Sequence, residues 1–270
     1  MRLGRPAAPG DGGGRSRSLG VVDDLSLAAL GFGDVPARAP LTYPGRPVTA
    51  PTLLTGGELR PLDLGLLGRY RDRHPVIAVG SNASPAQLHY KLSSPGRPAT
   101  VPMVPVRVHG IAVGCSAHIG RYGYVASAPY SDPAARTPLV VSWLDDAQLD
   151  AVDRTEVPNY RRVRLPGADF PMVMPSGERL EAAYLYVSTH GVLTAPGDGG
   201  RPLPGGGDQS ALLARLLASS ARLRDLLGPD PAAWVGRAGA DAAVRTAGTR
   251  VFHDEGWTRS ESHDRLSILP

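Results

Sequence analysis

The sequence predicts an α+β fold: a small closed or barrel-like mixed β-sheet with flanking helices, preceded by an irregular N-terminal extension. Three observations carry this. Several short apolar, β-branched runs follow one another with few helical patterns between them, which argues against a doubly wound parallel sheet. The segment "PVIAVGSNASPAQL" passes from a strand pattern through a tight turn into a helix start. A strongly amphipathic stretch, "QSALLARLLASSARLRDLLG", comes only after the strands.

Taken along the chain, residues 1–20 hold Gly, Arg, Pro and Ser with almost nothing to bury and read as a disordered tail. Residues 21–73 alternate short apolar pieces such as "LSLAAL" and "LDLGLLGRY" with Pro and Gly, an irregular arm able to lie against a core. The main domain is expected over 74–250 and a C-terminal tail over 251–270. Within the domain, "PVIAVG" at 75–80 stops at Gly and reads as a buried strand. Ser84 caps the next helix, with Pro85 at its first position and Gln87 completing a capping box. Strands follow at 104–117, 122–130 and 138–144. "DDAQLDAVDRTE" is then a helix with Asp145 and Gln148 as a capping pair, Leu149 and Val152 sharing one face. "YRRVRL", "FPMVM" and "RLEAAYLYVS" supply further strands, with a hairpin turn at Ser176 and Gly177. A Pro and Gly loop over 191–207 leads to one long helix from Gln209 and a weaker one near "PAAWVGRAGADAAVR".

Composition excludes more than it selects. The 33 Gly and 27 Pro in 270 residues favour a medium core flanked by irregular chain. Of 29 basic residues only Lys91 is lysine, and 25 acidic residues are interspersed, leaving a net charge of +4. No clustered basic face with interleaved aromatics is present, so no nucleic-acid partner is expected. Cys115 is alone, which excludes an internal disulfide or a cysteine-based zinc site, and a reducing, cytoplasmic setting is expected. No apolar run approaches membrane-spanning length, so no membrane partner is expected either. Nucleophile-elbow, phosphate-loop and metalloprotease motifs are missing, and none of the seven histidines forms a ligand pair at helical spacing. Neither a metal nor a cofactor is expected.

Two segments remain. The turn Gly80, Ser81, Asn82, Ala83 aims backbone N–H groups toward one spot beside a helix N-terminus, suited to a carboxylate or a developing oxyanion. Its bland counterpart is an ordinary turn in which Asn satisfies its own backbone. Glu156 ends a predicted helix just before Pro158. There the helix dipole disfavours negative charge, whereas Arg154, Arg161 or Arg162, if close, would favour it. Alone, a Glu beside three Arg reads as half of a solvated ion pair. The chain's only two asparagines, Asn82 and Asn159, fall in these two segments.

Together, "VGSNASPAQL" and "LDAVDRTEVPNYRRVRL" resemble the two signatures of the γ-glutamylcyclotransferase-like family: a glutamyl-binding loop, and a Leu-Asp pattern leading to an essential Glu and then a Tyr opening the next strand. The stretch between them has the family's order of strands, and "LEAAYLYV" resembles its closing strand. The resemblance covers about residues 74–190. It implies that Gly80, Ser81, Asn82 and Ala83 surround a glutamyl group and that Glu156 is the general acid/base of a cyclisation yielding 5-oxoproline and a free amine. The partner would then be a small γ-glutamyl amine. Val79 stands where the family usually has Tyr, and Ala83 where it has a larger apolar residue. Tyr160 is the candidate to replace the lost hydroxyl, unless it simply packs against the sheet. The alternative function is a non-catalytic ligand-binding or interaction module on the same fold.

Overall fold

The computed structural model describes residues 1, 24–93, 99–194, 200–260 and 265–269, so the tail expected over 1–20 lies, but for Met1, outside the described residues. The arm supplies a hairpin, β1 (Thr52–Thr55) and β2 (Glu58–Pro61), turning at Gly56 and Gly57, both with positive φ. There follow β3 (His74–Ala78), α1 (Pro85–Leu92), β4 (Thr100–Ile119), β5 (Val125–Leu144), α2 (Asp146–Glu156), β6 (Tyr160–Pro166), β7 (Met172–Val173), β8 (Ala182–Ser188) and β9 (Val192–Leu193). Four helices, α3 (Gln209–Ser219), α4 (Ala221–Leu227), α5 (Pro231–Ala240) and α6 (Ala242–Asp254), and a last strand, β10 (Thr258–Arg259), complete it.

The fold is α+β, as the sequence predicts, but the sheet is open and does not close into a barrel. Its main path runs β10-β9-β4-β5-β3-β8-β6, with β3 and β8 parallel. Closure would require β6 to pair with the free edge of β4. That edge is already occupied in turn by β1 at residues 100–103, by β7 at 107–108 and by β9 at 116. The arm, in other words, takes backbone partners that a barrel would need.

Strand alternation explains the cores. In β3, Val76 faces a cluster with α1, α2 and the arm, while Ile77 faces a second cluster built from β6, β7 and β8. Both faces are covered, so the strand reads as a continuous apolar run. β4 repeats the pattern, Val101 and Met103 on the first face and Val104, Val106 and Val108 on the second. Its far end, from Cys115 to Ile119, packs against α3–α6 in a third cluster around Trp234 and Phe252.

Local signals account for most boundaries. Asp145 and Gln148 form the reciprocal capping box of α2, and Leu149 and Val152 are its buried residues. The box expected at α1 is only half made: Ser84 accepts from Gln87 N–H, but the Gln87 side chain accepts from Ala37 N–H of the arm. The helix expected to run unbroken from Gln209 divides at Ser220, whose hydroxyl oxygen caps α4. The strands expected at 122–130 and 138–144 merge into one continuous β5 that starts only at Val125, residues 122–124 lying before it. The boundary expected at 250/251 falls inside α6, because Val251, Phe252 and Trp257 are buried against the third cluster. No helix among the described residues is long and apolar enough to cross a membrane.

Candidate functional site

β3 delivers the chain into a one-turn 3-10 helix, Ser81–Ala83, closed by Ala83 N–H to Gly80 O and Ser84 N–H to Ser81 O, both 3.0 Å. The N–H groups of Ser81 and Asn82 make no hydrogen bond to the described residues. Both residues line a cavity of about 740 Å³, as do Gly80, Glu156 and Tyr160. Ala83 does not: it packs against the first core cluster, and its N–H is spent inside the turn.

Glu156, the last residue of α2, is brought against this turn by α1. The Asn82 amide donates to Glu156 Oε1 at 3.0 Å. Lys91 Nζ donates to the same oxygen at 2.8 Å and to Asn82 Oδ1 at 2.8 Å, closing a three-membered ring of contacts. The Lys91 and Glu156 side chains are only 10% and 14% exposed. Glu156 Oε2 makes no hydrogen bond to the described residues, so the carboxylate is fixed by one oxygen and open at the other.

None of the three arginines considered from sequence pairs with Glu156. Arg161 reaches the carbonyls of Leu266 and Leu269, Arg162 pairs with Asp153 at 3.2 Å, and Arg154 is exposed beside the cavity. The partner is the chain's sole lysine. It lies four residues after Gln87 on α1, and this i, i+4 spacing puts both on the cavity side of the helix.

The arm builds one wall. Tyr43 stacks on Tyr124 with ring centroids 4.3 Å apart, and its hydroxyl oxygen accepts the Ser127 N–H at 2.8 Å. Burial pushes the Tyr43 hydroxyl up to about 12 and raises Tyr124 as well, so both stay protonated. Tyr43 also explains Gly80: a Cβ there would run into the Tyr43 hydroxyl. An aromatic wall of the cavity thus comes from the arm, more than 30 positions upstream of Val79. Tyr160, buried and with its hydroxyl likewise pushed up by burial, donates to Ser127 O at 2.9 Å. Its proton is committed to the scaffold.

Beside Tyr160 lie two histidines that sequence reading passed over. His118 and His190 stack at 4.5 Å, and His190 Nε2 meets Asn159 Oδ1 at 2.9 Å, which gives the second asparagine its contact. The helical unit contributes Arg245 of α6, its guanidinium held by the carbonyls of Ala238 and Gly239.

No family model matches the sequence, and no curated protein sequence matches it. Solved structures similar to this chain include γ-glutamylcyclotransferases. One, a gamma-glutamyl cyclotransferase, is 14% identical over 43% of this chain and 67% of its own, with a TM-score of 0.33. A yeast gamma-glutamyl cyclotransferase specific to glutathione is 13% identical over 62% of this chain and 98% of its own, at 0.32. An Arabidopsis thaliana protein known from a solution structure is 24% identical over 43% of this chain, at 0.32; the chain spans only 61% of that protein's length. Overlap of this extent leaves the functional argument to the cavity itself.

The cavity offers a carboxylate with one open oxygen, two unpaired backbone N–H groups, an aromatic wall and a neutral imidazole. That set can hold a polar ligand and move a proton on it. No residue in it is placed as an activated nucleophile: Cys115 lies outside the lining, and burial pushes its thiol up to about 12.

Proposed function

We propose that the chain is a γ-glutamylcyclotransferase-like enzyme that releases an amine from a γ-glutamyl conjugate by intramolecular cyclisation, with Glu156 as general acid/base. The free α-amine attacks the side-chain amide carbon, the new C–N bond closes 5-oxoproline, and the bond to the departing amine breaks. One proton must travel from the attacking to the leaving nitrogen. Glu156 Oε2 is the group to carry it, worth about 10²- to 10⁴-fold in rate. The nucleophile is already tethered, so the protein has to fold the substrate and need not collect two molecules. The Ser81 and Asn82 N–H groups are the candidate donors for the oxyanion, each such donor worth about 3 kcal/mol.

A single observation carries this reading: the Glu156 carboxylate, held by Lys91 and Asn82, lines the same cavity as the unpaired N–H groups of residues 81 and 82. The test is 5-oxoproline release from a panel of γ-glutamyl amines by wild-type and Glu156→Gln protein. Arg121, Arg154 and Arg245 also line the cavity, so the panel should include leaving amines that carry a carboxylate. Turnover by the wild type with a loss of about 100-fold or more in the variant supports the proposal. Equal rates would remove Glu156 from the mechanism, and binding without turnover would leave a ligand-binding module.

A further inference from the structure

The His118 ring is 4% exposed, lines the cavity, and hydrogen-bonds through Nδ1 to Ser116 Oγ at 2.6 Å. Ser116 Oγ lies 2.7 Å from Ser188 Oγ, which accepts the backbone N–H of His190 at 3.1 Å. Both serines are buried, Ser116 fully and Ser188 at 2% exposure. Each hydroxyl carries one proton, and a buried hydroxyl proton without an acceptor is costly. Suppose Nδ1 carried the imidazole proton. Ser116 would accept it, and its own proton would turn to Ser188 or to the Tyr160 hydroxyl, which already donates to Ser127 O, so the chain of donors would run away from the ring. In the opposite direction every proton is placed: Ser188 donates to Ser116, and Ser116 donates to a bare Nδ1. With Nδ1 accepting from Ser116, the imidazole proton sits on Nε2. That nitrogen makes no hydrogen bond to the described residues, yet it is not sealed in the interior, so it is reached from the cavity side.

We propose that His118 is a ligand-binding residue: a neutral imidazole locked as the Nε2–H tautomer by the Ser188–Ser116 relay, donating to a carbonyl or carboxylate oxygen of the bound ligand. Its neutrality follows from its surroundings. Burial, and then the neighbouring His190, hold it down to about 3, so it stays uncharged at ordinary pH. Around it stand His190, stacked on one face, and Tyr160, edge-on at 5.7 Å, with Ser116 and Ser188 behind. A donor that never charges binds an oxygen without competing with Glu156 for the proton in transit. The ligand assigned rests on the γ-glutamyl reading; the tautomer does not.

The test is nitrogen NMR on the full chain with ¹⁵N-labelled histidine and backbone, His118 being assigned through His118→Gln or, should that variant not fold, through Ser116→Ala. At pH 7 the expected result is a protonated Nε2 and a bare Nδ1, with no titration of this ring down to pH 5. A protonated Nδ1, or an imidazolium at pH 6, overturns the proposal. The probes are 5-oxoproline, which has a carboxylate and a lactam carbonyl, and 2-pyrrolidinone, which has only the carbonyl. A shift of the His118 Nε2 signal with both assigns the carbonyl, and a shift with 5-oxoproline alone assigns the carboxylate. His118→Phe is expected to weaken the effective probe about 3- to 10-fold, the worth of one neutral hydrogen bond. If the Ser81 and Asn82 amides respond and His118 does not, the proposal fails while the γ-glutamyl reading survives. If none responds to either probe, the proposal fails, and the γ-glutamyl reading is decided by 5-oxoproline release alone.

Discussion

Replacing Lys91 with methionine keeps the apolar stem and deletes an ammonium that touches both Glu156 Oε1 and Asn82 Oδ1 at 2.8 Å. Breaking a fully buried ion pair by removing one partner costs about 3–5 kcal/mol, because the other charge is left uncompensated. Here the two side chains are 10% and 14% exposed, and Glu156 keeps its bond from Asn82 at 3.0 Å, so part of that penalty is relieved. A single hydrogen bond to a charged group is worth about 1.5–3 kcal/mol, which places Lys91→Met near 3 kcal/mol. For a chain of this size that corresponds to a drop of about 6–12 °C in melting temperature. Urea unfolding is followed through the buried tryptophans Trp143, Trp234 and Trp257, with the slope checked to be unchanged. The sharper reading comes from a double-mutant cycle with Glu156→Gln. Removing both charges strands neither, so the double variant should be less destabilised than the sum by about 1–3 kcal/mol. A Lys91→Met protein within about 0.5 kcal/mol of wild type, or strict additivity in the cycle, would show that the pair is not coupled and would refute the reasoning.

Tyr43→Phe leaves the buried Ser127 N–H without its acceptor and is expected to cost about 1–3 kcal/mol in urea unfolding; no change would mean that the hydroxyl is not the partner. Gly80→Ala forces the new methyl against the Tyr43 hydroxyl, so it should cost about 1–3 kcal/mol by overpacking, and Tyr43→Phe in the same chain should recover part of the loss. His118 binds a proton near 6.5 in the unfolded chain but only near 3 in the fold, so its contribution is fully present above pH 6.5 and is lost as the pH falls from there toward 3. Wild type should therefore lose about 2 kcal/mol more than His118→Gln between pH 7.5 and pH 5, and parallel curves would contradict this. Cys115, buried with its thiol pushed up to about 12, should resist iodoacetamide at pH 8 until the chain unfolds, as read by intact mass; prompt labelling of folded protein would be the contrary result.

What could be read from the sequence divides by the range of the forces involved. Ser84 before Pro85, Asp145 with Gln148, and the apolar faces of α2 are decided within a few residues, and the chain forms those caps and faces. The alternation in β3 and β4 is equally local. The break at Ser220 was visible in principle, since a serine in mid-helix pattern is also a cap, but the choice is made by Glu255, which accepts its hydroxyl proton from 35 residues away. Openness of the sheet was not legible, because it depends on which segment reaches the β4 edge first, and the arm's residues 52–55 carry only a weak strand pattern.

The cavity shows the same division with more consequence. Each motif supplied its own half: a turn with unpaired N–H groups from one, a carboxylate from the other. The groups that make those halves into one site lie outside both motifs. Lys91 sits nine residues from Asn82 and 65 from Glu156, and only packing of α1 beside α2 turns it into the clamp between them. Tyr43 is 84 residues from the Ser127 N–H that it accepts, and that placement favours glycine at position 80. Composition held one clue. In a chain where arginine fills every other basic position, a lysine is the residue to ask about, since a compact ammonium can bridge two oxygens in a space that a planar guanidinium would overfill. Lys91→Arg should therefore not restore the ring of contacts, and its stability should lie closer to Lys91→Met than to wild type; a fully stable arginine variant would show that the space between Asn82 and Glu156 is looser than the three distances imply.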